Sequence, residues 1–234
     1  MNLLRGDGRP LCVGHRGAAA HAPDNTLEGL AGAIELGCDL VEFDVLAHDG
    51  RLVLSHSLEE LAERPATLDE ALALLASSST GPHVDLKERG IAEPLADALR
   101  RHGLVERTIV SSADAVALRE LGRVEPRVAL GLTYPRDRYG VSRRRAVAPL
   151  IPAGVAGLRR ALPYRIARML EGVGARTAVL HYAVVTETAV DRCHAAGAAV
   201  LAWTVNDPAL ARTLEDLSID GIISDDPRIV RAEM

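Results

Sequence analysis

Leu40-Val41-Glu42-Phe43-Asp44-Val45, then His48-Asp49-Gly50, then Arg51-Leu52-Val53-Leu54-Ser55, reads as two extended runs joined across an Asp-Gly turn. The first run is apolar at nearly every position, as in a strand covered on both faces. Its two exceptions, Glu42 and Asp44, are two residues apart and so share one side of the strand. Phe43 between them points the opposite way. In a closed barrel that parity sends the carboxylates toward the axis and the phenyl ring toward the surrounding helices. The second run returns antiparallel toward the same end and closes with His56.

Outward from this hairpin, short Val, Ile and Leu runs recur along the chain. They are Leu11 to Gly14, Leu40 to Val45, His83 to Leu86, Thr108 to Ser111, Arg127 to Leu132, Thr177 to His181, Ala198 to Val205 and Gly221 to Ser224. Amphipathic stretches lie between them: Asn25 to Leu36, Thr67 to Ala76, Ala92 to Arg101, Ala113 to Leu121, Tyr164 to Val173, Glu187 to Ala196 and Pro208 to Leu217. Gly37, Gly103, Gly122, Gly174 and Gly197 each follow a predicted helix, where a left-handed residue is wanted. Strand and helix alternating about eight times predict a (β/α)8 TIM barrel, one domain over residues 1–234. The hairpin after the second strand is an addition to it, and no large insertion subdomain is expected. The stretch from Tyr134 to Arg160 is the least regular, with Pro135, Pro149, Pro152 and the basic run Arg143-Arg144-Arg145; it reads as a solvated or site-covering loop.

The 234 residues carry 27 Lys+Arg against 32 Asp+Glu, a net charge of −5, which removes the positive field that a nucleic-acid binder needs. Aromatics make up 3%, too few for stacking platforms. Cys12, Cys38 and Cys193 are far apart in apolar surroundings and read as buried, reduced thiols. The first residues lack a signal-peptide core, and no run is apolar for about 18 residues. These features predict a cytoplasmic protein without stable membrane insertion.

In a barrel the polar residues that close the strands form the site. Here they are His15-Arg16 after the first strand, Glu42 and Asp44 on the second, His56 after the hairpin, and Asp85 with Lys87 on the third. A single acid at a strand end is ordinary. Three converging on one mouth repel one another unless a cation neutralises them, and oxygen donors suit Mg²⁺ or Ca²⁺. His15 and His56 titrate near neutral pH and are a candidate acid and base pair. Arg16 and Lys87 suit a phosphoryl group or, as the plainer alternative, pair with the same carboxylates. His83 shares the parity of Asp85 and faces inward, whereas His102 and His194 fall at helix C-termini and read as structural. Trp203, or Asn206 beyond it, walls the pocket. The set reads as metal-assisted phosphoester chemistry.

Read in order, His15-Arg16-Gly17, Pro23-Asp24-Asn25-Thr26, Glu42-Phe43-Asp44, His48-Asp49-Gly50 and His56-Ser57 resemble the signature of the glycerophosphodiester phosphodiesterase family, within the phospholipase C-like phosphodiesterases. Ala202-Trp203-Thr204-Val205-Asn206 and Gly221 to Pro227 resemble its closing strands. The resemblance implies one divalent cation, Mg²⁺ or Ca²⁺ with Mn²⁺ as a further candidate, on Glu42, Asp44 and Asp85. It also implies catalysis by His15 and His56, phosphate binding by Arg16 and Lys87, and cleavage through a cyclic phosphate to sn-glycerol 3-phosphate. Three departures stand out: Asp85 where the family usually has Glu, Ser57 where it has Asp, and a short span between His56 and Asp85 where members commonly insert a subdomain. A more open pocket follows, with a bulkier diester of the lysophospholipid kind, or binding of a phosphoester without turnover, as alternatives.

Overall fold

Eight parallel strands close on themselves in the computed structural model, which describes residues 1, 3–6, 8–136 and 151–231. Strand β1 (Leu11–Gly14) pairs with both β2 (Leu40–His48) and β9 (Gly221–Ser224), and the ring continues through β4 (Gly81–Leu86), β5 (Ile109–Ser112), β6 (Ala129–Tyr134), β7 (Thr177–His181) and β8 (Ala199–Trp203). The extra strand β3 (Arg51–Leu54) lies outside the ring, antiparallel to β2, with His48 opposite Arg51 and Val45 opposite Leu54. The chain is therefore a single (β/α)8 barrel with an added hairpin, as the alternation predicts.

Helices α1 (Leu27–Glu35), α2 (Leu68–Ala76), α3 (Ala92–Arg101), α4 (Ala115–Val124), α6 (Ile166–Glu171), α7 (Glu187–Ala195) and α8 (Pro208–Asp216) answer the seven amphipathic stretches, with ends that differ by at most a few residues. Their starts follow side-chain caps. Thr67 and Glu70 form a reciprocal capping box on α2, while Thr26, Asp114, Thr186 and Asp207 cap α1, α4, α7 and α8. Gly37, Gly103, Gly174 and Gly197 have positive φ as expected, but Gly122 does not, because α4 runs through it to Val124. Within the irregular stretch, residues 151–161 form α5 (Ile151–Ala161), and the basic run Arg143-Arg144-Arg145 lies outside the described residues. A short α9 (Arg228–Arg231) follows the last strand.

Strand parity divides the interior into two cores. Val41, Phe43, Val45, Val84 and Leu86 face outward and pack with the helices, Phe43 fully buried. Leu40, Val13, Ile109, Val179, Leu201 and Ile223 fill the floor of the barrel, joined by Leu3. Above that apolar floor the inward positions turn polar, so the barrel is a packed plug below and a site above. Cys12, Cys38 and Cys193 are buried and form no disulfide.

Candidate active site

The polar strand ends open on one cavity of about 660 Å³, whose lining includes His15, Arg16, Glu42, Asp44, His56, Asp85, Lys87 and Trp203. All eight residues singled out from the sequence therefore meet at one mouth. Register explains the convergence: Glu42 lies beside His83, and Asp44 beside Asp85, across the β2–β4 ladder. One ligand oxygen from each of Glu42, Asp44 and Asp85 lies within 4.8 Å of the others.

The electrostatics show how far these acids depend on positive charge. Lys87 Nζ sits 2.6 Å from Asp44 Oδ1 and closer still to Asp85 Oδ2, and Arg16 Nε lies 3.1 Å from Asp44 Oδ2. Burial alone would raise the Asp44 carboxyl, but Lys87 and Arg16 outweigh it and hold its pKa below the ordinary range. The same two anions lift the Lys87 ammonium above its usual pKa in spite of its burial. Glu42 has no such partner. Burial and the charge of Asp44 push it up to about 7, against the opposing charges of His15, whose Nε2 is 3.9 Å away, and of Lys87. Three buried or half-buried carboxylates thus share two fixed cations, and the donor set is all oxygen. That deficit and that chemistry fit a divalent cation of the hard kind.

The first βα turn carries unusual backbone. Arg16 adopts φ 49°, which aims its N–H at Glu42 Oε2, 2.9 Å away. Gly17 follows at φ +100°, where a Cβ would come within 2.6 Å of the Gly29 backbone. Arg16 and Lys87 both pair with local carboxylates: Arg16 Nη1 is 2.9 Å from Asp24 Oδ2, and Lys87 Nζ is 2.6 Å from Asp44 Oδ1.

Sequence reasoning missed the supporting role of four residues. Asp225 sits 2.6 Å from His15 Nδ1, and Asn206 in turn donates to Asp225 Oδ2 while its own Oδ1 accepts from the Asp225 N–H at 2.9 Å. Asn206 is thus a brace for Asp225 instead of a pocket wall; Trp203 is the wall, its Nε1 donating to the Val179 carbonyl at 3.1 Å. Asn25, at φ 57°, donates from Nδ2 to Asp44 Oδ2 and accepts from the Asp44 N–H through Oδ1, both at 2.9 Å. Glu60 approaches His56 Nδ1 to 3.4 Å, so a carboxylate stands near that imidazole although position 57 is Ser. Asn25, Asn206 and Asp225 lay inside quoted motifs, but Glu60 carried no signal. His102 and His194 pair with Asp69 and Asp220, away from the cavity.

Two histidines are set apart by their surroundings. Burial pulls His15 down, but the hydrogen bond to Asp225 and the charge of Glu42 outweigh it and raise its pKa. Burial and the nearby Lys87 charge lower that of His56.

The family model of the glycerophosphoryl diester phosphodiesterases matches residues 15–74 and 88–229. The chain belongs to that family. It is accordingly a phosphoric diester hydrolase of the glycerophosphoryl type. The matched ranges pass over residues 75–87, the segment that bears Asp85 and Lys87. Among relatives of this phosphodiesterase, the glycerophosphodiester phosphodiesterase of Caldanaerobacter subterraneus is 26% identical, covering 94% of this chain and 95% of its own. A phosphodiesterase from Oleispira antarctica, solved with the product sn-glycerol-3-phosphate, shares the fold at TM-score 0.74 and 24% identity over 96% of both chains. A glycerophosphodiester phosphodiesterase from Parabacteroides distasonis does so at TM-score 0.75 and 21% identity, covering 96% of this chain and 97% of its own.

Proposed function

We propose that this phosphodiesterase hydrolyses glycerophosphodiesters to an alcohol and sn-glycerol 3-phosphate, with His15 and His56 as general acid and base. The observation that carries the reading is the opening of both imidazoles, the Glu42, Asp44 and Asp85 triad, and Lys87 on a single cavity. Glu42, Asp44 and Asp85 would hold one divalent cation, Mg²⁺, Ca²⁺ or Mn²⁺, which supplies Lewis-acid stabilisation of charge on the phosphate when bound. His56, with its pKa lowered, takes the proton from the glycerol hydroxyl next to the phosphate as that oxygen attacks phosphorus. His15, with its pKa raised, gives a proton to the departing alcohol oxygen as the P–O bond breaks. Water then opens the cyclic phosphate with the two roles exchanged. Lys87 and Arg16 offset negative charge around the phosphate, and Trp203 forms the wall against which the substrate lies. Buried, unpaired cysteines are in keeping with the cytoplasmic location that belongs to this proposal. Among the described residues no helix is long and apolar enough to cross a membrane.

The experiment is release of glycerol 3-phosphate from glycerophosphocholine by purified protein, in EDTA and then with Mg²⁺, Ca²⁺ or Mn²⁺ restored. Turnover should require the ion and fall at least about 100-fold in His15→Ala and in His56→Ala. No turnover with any ion would overturn the glycerophosphodiester reading.

A second cavity of about 440 Å³ adjoins the first at His56 and favours a bulkier leaving group as the second reading. Between β3 and α2 the chain makes only a short helical turn, Leu58–Glu60, so nothing large covers that side. Faster hydrolysis of lysophosphatidylcholine than of glycerophosphocholine would select it.

A further inference from the structure

Asp85 is a short carboxylate that must reach a point shared with Glu42 and Asp44, and both of its oxygens are already engaged. Oδ2 faces Lys87, which also touches Asp44. Oδ1 accepts from Ser111 Oγ at 2.8 Å and from Thr133 Oγ1 at 3.4 Å. Ser111 is placed for this by the β4–β5 ladder, in which it stands directly beside Asp85. Its neighbour on the next strand is Gly131, where a Cβ would press to 3.2 Å of the Ser111 Cβ.

Behind Ser111 lies His83, fully buried, with Nε2 2.9 Å from Ser111 Oγ. A hydroxyl has one hydrogen, and an ionised carboxylate only accepts, so the Ser111 hydrogen goes to Asp85 and His83 Nε2–H donates to Ser111. The direction of the chain is fixed: His83 to Ser111 to Asp85. His83 Nδ1, also buried, has no hydrogen-bond partner among the described residues. Burying an imidazole with one nitrogen unpaired is costly, and an apolar side chain would fill the same floor position without that cost. The single bond His83 does make therefore explains its presence.

We infer that Ser111 and His83 are positioning residues that lock the Asp85 carboxylate with Oδ2 turned toward Asp44, and so make this short side chain a third ligand for the cation. The inference rests on the reading that the triad holds a divalent ion. Ser111 pins Oδ1, His83 pins the Ser111 rotor, and Oδ2 of Asp85 is left on the side of Lys87 and Asp44, where Lys87 bridges the two carboxylates.

The test is Ca²⁺ binding to the intact protein by isothermal titration calorimetry, beside Mn²⁺ binding by electron spin resonance. Ser111→Ala should weaken both affinities by about 10- to 100-fold, while kcat at saturating Ca²⁺ changes much less. Ser111→Thr, which keeps the hydroxyl, should restore wild-type affinity. His83→Leu, which leaves the serine in place but removes its donor, should weaken binding in the same direction as Ser111→Ala. Thermal midpoints measured in EDTA identify any variant that loses affinity only because it is unfolded, and the threonine and leucine variants then decide. Equal Ca²⁺ affinity in wild type, Ser111→Ala and His83→Leu would overturn this inference alone. Absence of Ca²⁺ and Mn²⁺ binding by the wild type would overturn the cation reading and this inference with it.

Discussion

His15 Nδ1 lies 2.6 Å from Asp225 Oδ1, joining the first strand's end to the last across 210 positions of sequence. The pair orients the ring so that Nε2 is the nitrogen on the Glu42 side. It also sets the charge state of the ring, since the Asp225 hydrogen bond and the Glu42 charge outweigh burial in raising the His15 pKa. Asp225 in turn is lowered, chiefly by the same hydrogen bond.

Asp225→Asn should therefore act on the alkaline side of the pH profile. With His15 required in its protonated form as acid, kcat/KM declines as pH rises through its pKa. Removing the Asp225 charge takes away the largest of the raising influences and leaves Glu42 alone to oppose burial, so the pKa falls and the alkaline limb moves to lower pH. Turnover should also drop by about 10- to 100-fold, as for other partners that orient a reacting imidazole. A profile with the limb unmoved and turnover intact would remove His15 from the role of acid.

The cation reading makes its own prediction for stability. Glu42 is buried beside Asp44 with no Lys or Arg in direct ion-pair contact among the described residues, and its pKa is pushed up to about 7. A bound divalent ion relieves that repulsion, so Ca²⁺ or Mg²⁺ added to EDTA-treated protein should raise the thermal midpoint. At a ligand concentration of about 100 times Kd the stabilisation is about 2.7 kcal/mol, or roughly 5–10 °C for a domain of this size. Glu42→Gln should lose most of the ion-dependent shift. A shift of equal size in that variant would show that the ion binds elsewhere.

The barrel was legible because its signals are local. Leu40 to Val45 is a buried apolar run broken only at Glu42 and Asp44 on one face, and Thr177 to His181 and Gly221 to Ser224 begin and end as strands where their apolar runs do. The convergence of the eight candidate residues was legible for the same reason, each lying on or just after a strand whose parity can be counted. What escaped the sequence is pairing at a distance. Nothing near Asp225 or Glu60 announces a histidine partner, and only ring closure and the turn after β3 bring them to His15 and His56. Ser111 looks like any small residue ending a buried strand until the ladder sets it beside Asp85. The end of α4 was misjudged at Gly122 because glycine can stop a helix but need not; here Leu130 Cδ1 lies 3.1 Å from the position of its missing Cβ, so close packing accounts for the residue.

Gly17→Ala tests the first βα turn. At φ +100° an alanine is strained whatever the space, and its Cβ would meet the Gly29 backbone at 2.6 Å. The strain costs about 1–3 kcal/mol, and the clash adds to it by prising α1 from the turn that carries His15 and Arg16. The thermal midpoint should fall by at least about 2–4 °C for each kcal/mol lost. Gly50→Ala is the control, since φ there is +73° but nothing lies within 4 Å of the added carbon. Equal losses in the two variants would mean that backbone strain alone, and not the close approach of α1, accounts for Gly17.

Glu125, at the C-terminal end of α4, gives the acid limb of stability. Its side chain is almost covered, held at 2.9 Å by Arg127 Nε and at 2.8 Å by Arg100 Nε. Hydrogen bonds from Arg127 and Arg100 hold its pKa down at about 2, against an ordinary value of 4.5. A carboxylate whose pKa is depressed by folding contributes stability that is complete above its unfolded pKa and is lost as pH falls toward its folded one. The window here is therefore about pH 4.5 down to 2. Glu125→Gln should be less stable than wild type in urea titrations at pH 7, and the two midpoints should converge as pH is lowered through that window. A gap between the midpoints that stays constant from pH 7 to 3 would mean that shape and neutral hydrogen bonding, rather than the charge of Glu125, tie α4 to Arg100 on α3.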